Sequence, residues 1–301
     1  MKILVSGASG LIGQALVGAL GAQGHLVARL VRPGGACAPG DVAWDPRAAT
    51  VDVAAMEGID AAVHLSGASI AQGRWTGVRK RELRASRIST TRVLVDALAS
   101  LAKKPSVLVC ASAIGFYGDR GDEILTESSS NGGDFLALLV RDWEAEAIRA
   151  EASGIRVARL RYGVILSGRG GALPIMLLPF RLGLGGRLGS GKQWMSWTAL
   201  DDAVEATCAA VANEQFAGAL NVVAPNPLPN AEFTRLAAAL LHRPSIFTAP
   251  RFALRLALGE RAAGLLLASQ RVIPARLMEL GYQFRFPALG PALRAILHRA
   301  P

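Results

Sequence analysis

Cysteine, histidine and tyrosine are scarce in this chain of 301 residues, which has three, four and three of them. Each shortage excludes a chemistry. Cys37, Cys110 and Cys208 lie far apart, are odd in number and form no C-x-x-C pair. Neither a disulfide framework nor a zinc site is expected, and a reducing cytoplasm is the compartment that fits. His25, His64, His242 and His298 do not cluster with carboxylates, so no metal is expected. Long apolar runs are absent too. A membrane span needs ~20 uninterrupted apolar residues, and the best stretch, 254–268, is broken by Arg255, Glu260 and Arg261. The apolar segment after Met1-Lys2 is interrupted by glycines at 7, 10 and 13 and is followed by no convincing cleavage site, so a signal peptide is not expected.

Acid is scarce at one end. Residues 231–301 hold ten Arg, three Glu, no Asp and no Lys, a local +7 within a net +10. Such a surplus suits phosphate, nucleic acid or a membrane surface. No run of adjacent basic residues and no aromatic-plus-basic platform accompanies it, so the expectation is an Arg-rich solvated helical face, with no nucleic-acid or membrane partner.

What is present describes a globular chain. It is 51% hydrophobic and 19% charged, and long enough to bury one large core or two modest ones. Short apolar runs at 2–6, 26–32, 59–65, 106–111 and 155–160 read as buried strands. Residues 14–22, 79–102 and 143–152 read as helices, the second stopped before Pro105 and the third closed by Gly154. Strands alternating with helices predict an α/β fold, a doubly wound parallel sheet of the Rossmann type. Prolines at 225, 227 and 229 mark a change of composition. Two domains are expected: 1–220 binding a dinucleotide, with 170–200 forming part of a substrate cleft, and 221–301 as a smaller, mainly helical region.

The first strand runs into Gly7-Ala-Ser9-Gly10-Leu11-Ile12-Gly13 and then a helix. Strand, G-x-x-G-x-x-G and helix together receive a pyrophosphate. Gly7 permits the turn, Gly10 lets the backbone approach the phosphates, Gly13 lets helix and strand pack, and the helix start offers N–H groups and a positive dipole end. The second strand ends at Arg32 with no acid before Asp41. An acid there would bind a ribose 2′-OH, whereas a basic residue favours a 2′-phosphate. Arg32 is therefore the expected phosphate reader, Arg29 the lesser candidate, and NADP(H) the expected cofactor.

The glycine spacing resembles the extended short-chain dehydrogenase/reductase superfamily. Further segments resemble one atypical subfamily, the NAD-dependent epimerase/dehydratase-like oxidoreductases with a small C-terminal domain. They are His64-Leu-Ser-Gly67, Ile70 to Trp75, Ser86 to Thr91, Ser112 to Gly121, Asp142-Trp143-Glu144, Leu160 to Leu166, Gly185 to Trp197, Asp201-Asp202, and a tail from Leu258 to Pro287. The likeness spans nearly the whole chain. It implies that Leu65, Ser66 and Gly67 pass under the adenosine and nicotinamide ribose, that Ser86 and Thr90 take the places of an asparagine and a threonine near the cofactor, and that Ala111 and Ser112 end the fifth strand, with Ser112 bonding the substrate oxygen. Arg161, Tyr162 and Gly163 match the stretch beside the nicotinamide. His64, inside a predicted strand, reads as a satisfied core histidine rather than a base.

One departure stands out. The superfamily transfers protons with Tyr-x-x-x-Lys. Four residues after Tyr117, Tyr162 and Tyr282 come Gly121, Leu166 and Phe286, and where the pair would fall stand Phe135 and Leu139, neither able to move a proton. Tyr117, five residues past Ser112, is the candidate replacement acid. On the substrate side, Arg187, Lys192 and Gln193 suit an anionic group, while Trp194, Trp197 and Trp75 suit stacking on a ring or sugar face. Asp201 and Asp202 read as caps of the helix that follows. Two readings stay open: an NADP-dependent oxidoreductase or epimerase acting on a small, polar, anionic or sugar-like substrate, and a non-catalytic NADP(H)-binding redox sensor or regulator. The resemblance leaves room for a homodimer.

Overall fold

In the computed structural model, which describes residues 1–298, the apolar runs pair into one eight-stranded sheet. Its strands are β1 (Lys2–Ser6), β2 (Leu26–Val31), β3 (Val42–Asp45), β4 (Thr50–Val51), β5 (Ala61–His64), β6 (Val107–Ala113), β7 (Arg156–Tyr162) and β8 (Gly218–Val222). The spatial order is β8-β7-β6-β5-β1-β2-β3-β4. All neighbours run parallel except β3 and β4. Successive strands step outward from β1 in both directions, so the order reverses between β1 and β5, where open α/β sheets bind ligands.

The strands are apolar on both faces because both faces are covered. Ile3, Val5, Val63, Val107 and Val109 face α1 (Leu11–Ala22) and a helix over Leu200–Ala212. Leu4, Ala62, Leu108 and Cys110 face the opposite layer. That layer is one long helical run: α2 (Gly77–Arg84), a π turn over Ala85–Ser89, and α3 (Thr90–Ser100). Beside it lies α4 (Phe135–Ile148), closed through Ser153 by Gly154 in the left-handed region at φ +77°. This agrees with the helix expected over 79–102 and extends the one expected from 143 by two turns toward its N-terminus.

The polypeptide after β8 does not stand apart. The boundary expected at residue 220 falls inside β8, which pairs with β7 from Gly218 to Val222. Beyond it, Leu228–Pro229 pairs with Trp194–Met195, Phe247–Ala249 with Gly186–Leu188, and Arg271–Val272 with Ile124–Leu125. Leu277, Tyr282 and Phe284 pack into the main core. The expected caps Asp201 and Asp202 do other work. Asp202 is buried and accepts from the backbone N–H groups of Arg285 at 2.7 Å and Phe286 at 3.1 Å, tying the tail to the helix over Leu200–Ala212. Asp201 pairs with Arg285 at 3.4 Å. Both still lie in a first helical turn, where negative charge is favoured. Among the described residues no helix is long and apolar enough to cross a membrane, and no three His, Cys, Asp or Glu side chains converge as a metal site.

Candidate functional site

The carboxyl ends of β1, β2 and β5 meet at the glycine loop. Gly7 has φ +70°, and a Cβ there would lie 2.7 Å from the carbonyl carbon of Leu65. A Cβ on Gly13 would lie 2.2 Å from the Gly7 oxygen, so only glycine lets α1 pack this closely on the turn. Gly10 begins α1 with no side-chain cap, and it and Ser9 are exposed. The first N–H groups of the helix, at Leu11, Ile12 and Gly13, therefore point out of the turn without an intrahelical acceptor. This cradle fits a pyrophosphate.

Beside it lies a cavity of about 510 Å³ lined by Val31, Arg32, Pro33, Gly34, Gly35, Cys37 and, across it, Trp44, Asp45 and Asp52. Two arginines, one within β2 and one just past its end, differ. Arg29 is committed: its Nε donates to Asp41 Oδ1 at 2.9 Å, and its Nη2 pairs with the other oxygen. That bond and charge hold the Asp41 carboxyl below its ordinary range. Arg32 is exposed at the cavity wall, and no hydrogen bond or ion pair engages its guanidinium among the described residues. An uncommitted guanidinium beside a glycine cradle can take a phosphate monoester in bidentate fashion.

Where β1 meets β5, Ser6 Oγ lies 2.6 Å from His64 Nδ1 and accepts from Leu65 N at 3.2 Å. His64 has no exposure, and burial pushes its pKa down to about 4. It is a neutral core histidine, although its Nε2 has no partner among the described residues. Leu65 and Ser66 are half-buried and Gly67 exposed. Ser86 Oγ accepts from Ala68 N at 3.1 Å and donates to Leu83 O at 3.0 Å, so Ser86 holds this loop end in place. Thr90 donates to Ser86 O at 2.8 Å and Arg87 O at 3.0 Å, at the end of the π turn. Its hydroxyl serves the helix rather than a ligand, a correction to the expected cofactor contact.

The ends of β6 and β7 are closed. Ser112 Oγ donates to Glu144 Oε1 at 2.5 Å. Arg161 grips the same carboxylate with Nε at 2.8 Å and Nη2 at 2.9 Å, and Arg159 adds Nη1 at 2.9 Å. Arg161 also donates to the Tyr117 hydroxyl at 3.0 Å, which donates to Asn221 Oδ1 at 2.7 Å. Its guanidinium lies 3.5 Å from the centroid of Phe116. Burial alone would raise the Glu144 pKa, but the bonds and charge of Arg161, then Ser112 and Arg159, hold it below the ordinary carboxylate value. Burial raises Tyr117 more than Arg161 lowers it.

Four expectations are corrected here. Tyr117 has 0% exposure, and its hydroxyl is spent inside the network rather than offered to a cleft. The Ser112 hydroxyl is taken by Glu144. The Arg161 side chain is buried in the same network. Tyr162 turns to the opposite face of β7, where its hydroxyl lies 2.7 Å from Thr207 in the core; the alternation of a strand sends neighbours to opposite faces. Ala111 packs against the core, and Gly163 is held to glycine, since a Cβ there would meet Ser196 O at 2.7 Å. Phe135 and Leu139 lie in an apolar cluster with Leu83, Leu136, Trp75 and Leu265.

The substrate-side residues are dispersed. Trp75 packs edge-on against Phe135 at 5.5 Å and donates to Ile70 O. Trp197 is corrected to a core residue with no exposure, packed with Leu166, Leu177 and Phe233. Trp194 donates to Asp122 at 2.8 Å and lies under Arg271. Gln193 Nε2 donates to Leu188 O and Leu266 O. Lys192 and Arg187 are exposed, the latter donating to Thr248 at 3.1 Å on the wall of a second cavity of about 320 Å³. Segment 260–267 bridges the two groups: a Cβ on Gly264 would touch the Trp75 ring at 3.2 Å, and Leu266 meets Gln193.

Sequence reasoning missed Glu144 as the hub, although a signal existed. A carboxylate flanked on its helix by Leu136, Val140, Trp143 and Ala147, all buried, requires a cation at the same depth.

Against known proteins, the model of the NAD dependent epimerase/dehydratase family matches residues 3–223. A domain of unknown function, DUF1731, matches 249–296. Human epimerase family protein SDR39U1 is 37% identical over 99% of this chain and 100% of its own. Epimerase family protein Mb2239 of Mycobacterium bovis is 43% identical over 97% and 96%. The crystal structure of human SDR39U1 (isoform 2) with NADPH superposes with a TM-score of 0.91 at 36% identity, covering 99% of this chain and 100% of that one. MoeE5, solved with UDP-glucuronic acid and NAD, reaches 0.77 at 19% identity over 99% and 98%, a likeness of fold alone.

Proposed function

Because the chain belongs to the NAD-dependent epimerase/dehydratase family, we propose that it binds NADP(H) and serves as an oxidoreductase or epimerase for a small polar carbonyl or sugar-like compound. The observation that carries the cofactor choice is Arg32: exposed, uncommitted and lining the cavity beside the glycine cradle, while Arg29 is neutralised by Asp41. The NADPH bound to the human relative supports the same choice. Gly7, Gly10 and Gly13 form the pyrophosphate cradle, and Leu65, Ser66 and Gly67 floor the path toward the nicotinamide. The bound cofactor supplies the hydride.

A second reading, a non-catalytic NADP(H)-binding protein, is favoured by a specific observation. Phe135 and Leu139 are apolar, and Tyr117, the replacement acid, is sealed from solvent. Proton donation by Tyr117 requires its bond to Asn221 to open. Fluorescence titration with NADPH and NADH, followed by a carbonyl-substrate screen that monitors NADPH consumption, tests both readings. NADPH-selective binding with turnover supports the first, selective binding without turnover on any compound supports the second, and binding of neither cofactor rejects both.

A further inference from the structure

Arg161 is buried and Arg87 half-buried, and their charges are handled differently. Arg161 is neutralised by Glu144. Arg87 meets no carboxylate among the described residues. Its Nη2 donates to Ala68 O at 3.0 Å, its Nη1 reaches Leu83 O and Ser86 Oγ at 3.4 Å, and its guanidinium lies 5.3 Å from the centroid of Trp143. Burial, with some repulsion from Arg79, pulls its pKa down to about 10. A partly desolvated cation that neutral carbonyls only partly satisfy carries a cost that an anion or polar ligand can offset.

Its position is specific. The guanidinium rests on Gly67: a Cβ there would sit 3.2 Å from its Cζ and 3.3 Å from Nη2. Gly67 follows Leu65 and Ser66, and these contact Gly7 of the cradle. Arg87 also occupies the π turn, which adds a residue to the helical ladder and re-aims the side chains within it. By position in the sequence, the place of the superfamily's lysine is taken by Leu139, which is buried in an apolar cluster.

We propose that Arg87 is a cofactor-positioning residue, meeting the half of the bound dinucleotide that runs from the pyrophosphate to the nicotinamide ribose and supplying the positive charge that Leu139 lacks. The inference rests on the NADP(H) reading above. A planar guanidinium suits the task because Nη2 holds Ala68 O and Nη1 makes only long contacts, while Nε makes no hydrogen bond among the described residues. Lysine's ammonium, a compact point charge with three donors, lacks that planar fork.

The test is equilibrium titration of the full chain with NADPH and with adenosine 2′,5′-bisphosphate, which carries the 2′-phosphate but no nicotinamide ribose. Wild type, Arg32→Asp, Arg87→Met and Arg87→Lys are compared, with circular dichroism as the folding check. Arg87→Met is expected to raise the NADPH Kd by about tenfold or more, as for loss of a charge-assisted bond, and to leave the bisphosphate within about twofold. Arg87→Lys falls between, and Arg32→Asp weakens both ligands. NADPH affinity within about twofold of wild type in Arg87→Met, or in Arg87→Lys should the methionine variant not fold, overturns the proposal. So does equal loss of both ligands in a folded Arg87 variant. Wild type binding neither ligand fails the NADP(H) reading itself, and this inference with it.

Discussion

The two ends of the proposed dinucleotide path are built on opposite principles. At the β2 end, a cavity of about 510 Å³ opens beside Arg32, whose charge is left uncommitted. At the β6 and β7 ends, Ser112, Glu144, Arg159, Arg161, Tyr117 and Asn221 satisfy one another in a buried network. Polar groups near a ligand path are thus of two kinds. Those left open by their neighbours are free to bind, and those closed on each other brace the strand ends that form the floor. Residue type alone does not distinguish them, since an arginine serves each purpose.

The comparison breaks most visibly at Glu144. If the network is structural, Glu144→Ala leaves Arg161 and Arg159 without their anion and costs about 3–5 kcal/mol, read as a large fall in the denaturation midpoint. A loss below about 1 kcal/mol shows that the network does not brace the sheet. His64, at the seam between the two ends, gives the next effect. Its folded pKa of about 4 lies below its ordinary 6.5, so the unfolded chain binds the extra proton between those values. Its contribution is full above pH 6.5 and is lost as the pH falls toward 4, about 3 kcal/mol in all. Unfolding free energy followed against pH is expected to show that slope in wild type and to lose it in His64→Leu.

Arg32→Asp probes the open end. Removing a charge-assisted bond and adding a like charge is expected to weaken NADPH by about 10- to 100-fold, with NADH little changed and stability within about 0.5 kcal/mol. Equal loss of both cofactors means that Arg32 reads something other than the 2′-phosphate. Tyr117→Phe acts on stability alone: it removes one buried donor and leaves Asn221 Oδ1 unsatisfied, at about 1–3 kcal/mol. NADPH affinity is expected to stay within about twofold. If a substrate is found and this variant turns it over at the wild-type rate, Tyr117 is not the proton donor.

Much was legible before any coordinates. Apolar runs of strand length alternating with helices specify a parallel sheet, because only strands buried on both faces are apolar throughout. Three glycines between the first strand and helix specify the cradle, because a Cβ at Gly7 or Gly13 would collide with backbone. Arg32 at the end of β2 and the absence of any tyrosine followed four residues later by lysine are likewise facts of order along the chain. The fate of the remaining polar groups was decided by tertiary structure. Ser112 meets a carboxylate 32 residues away and Tyr117 an amide 104 away; Trp197 and Tyr162 turn into the core, while Arg29 rather than Arg32 finds Asp41. Local pattern specifies which face of an element a side chain occupies. Whether a buried polar group there is satisfied by the protein or left for a ligand depends on partners that only folding brings within about 3 Å.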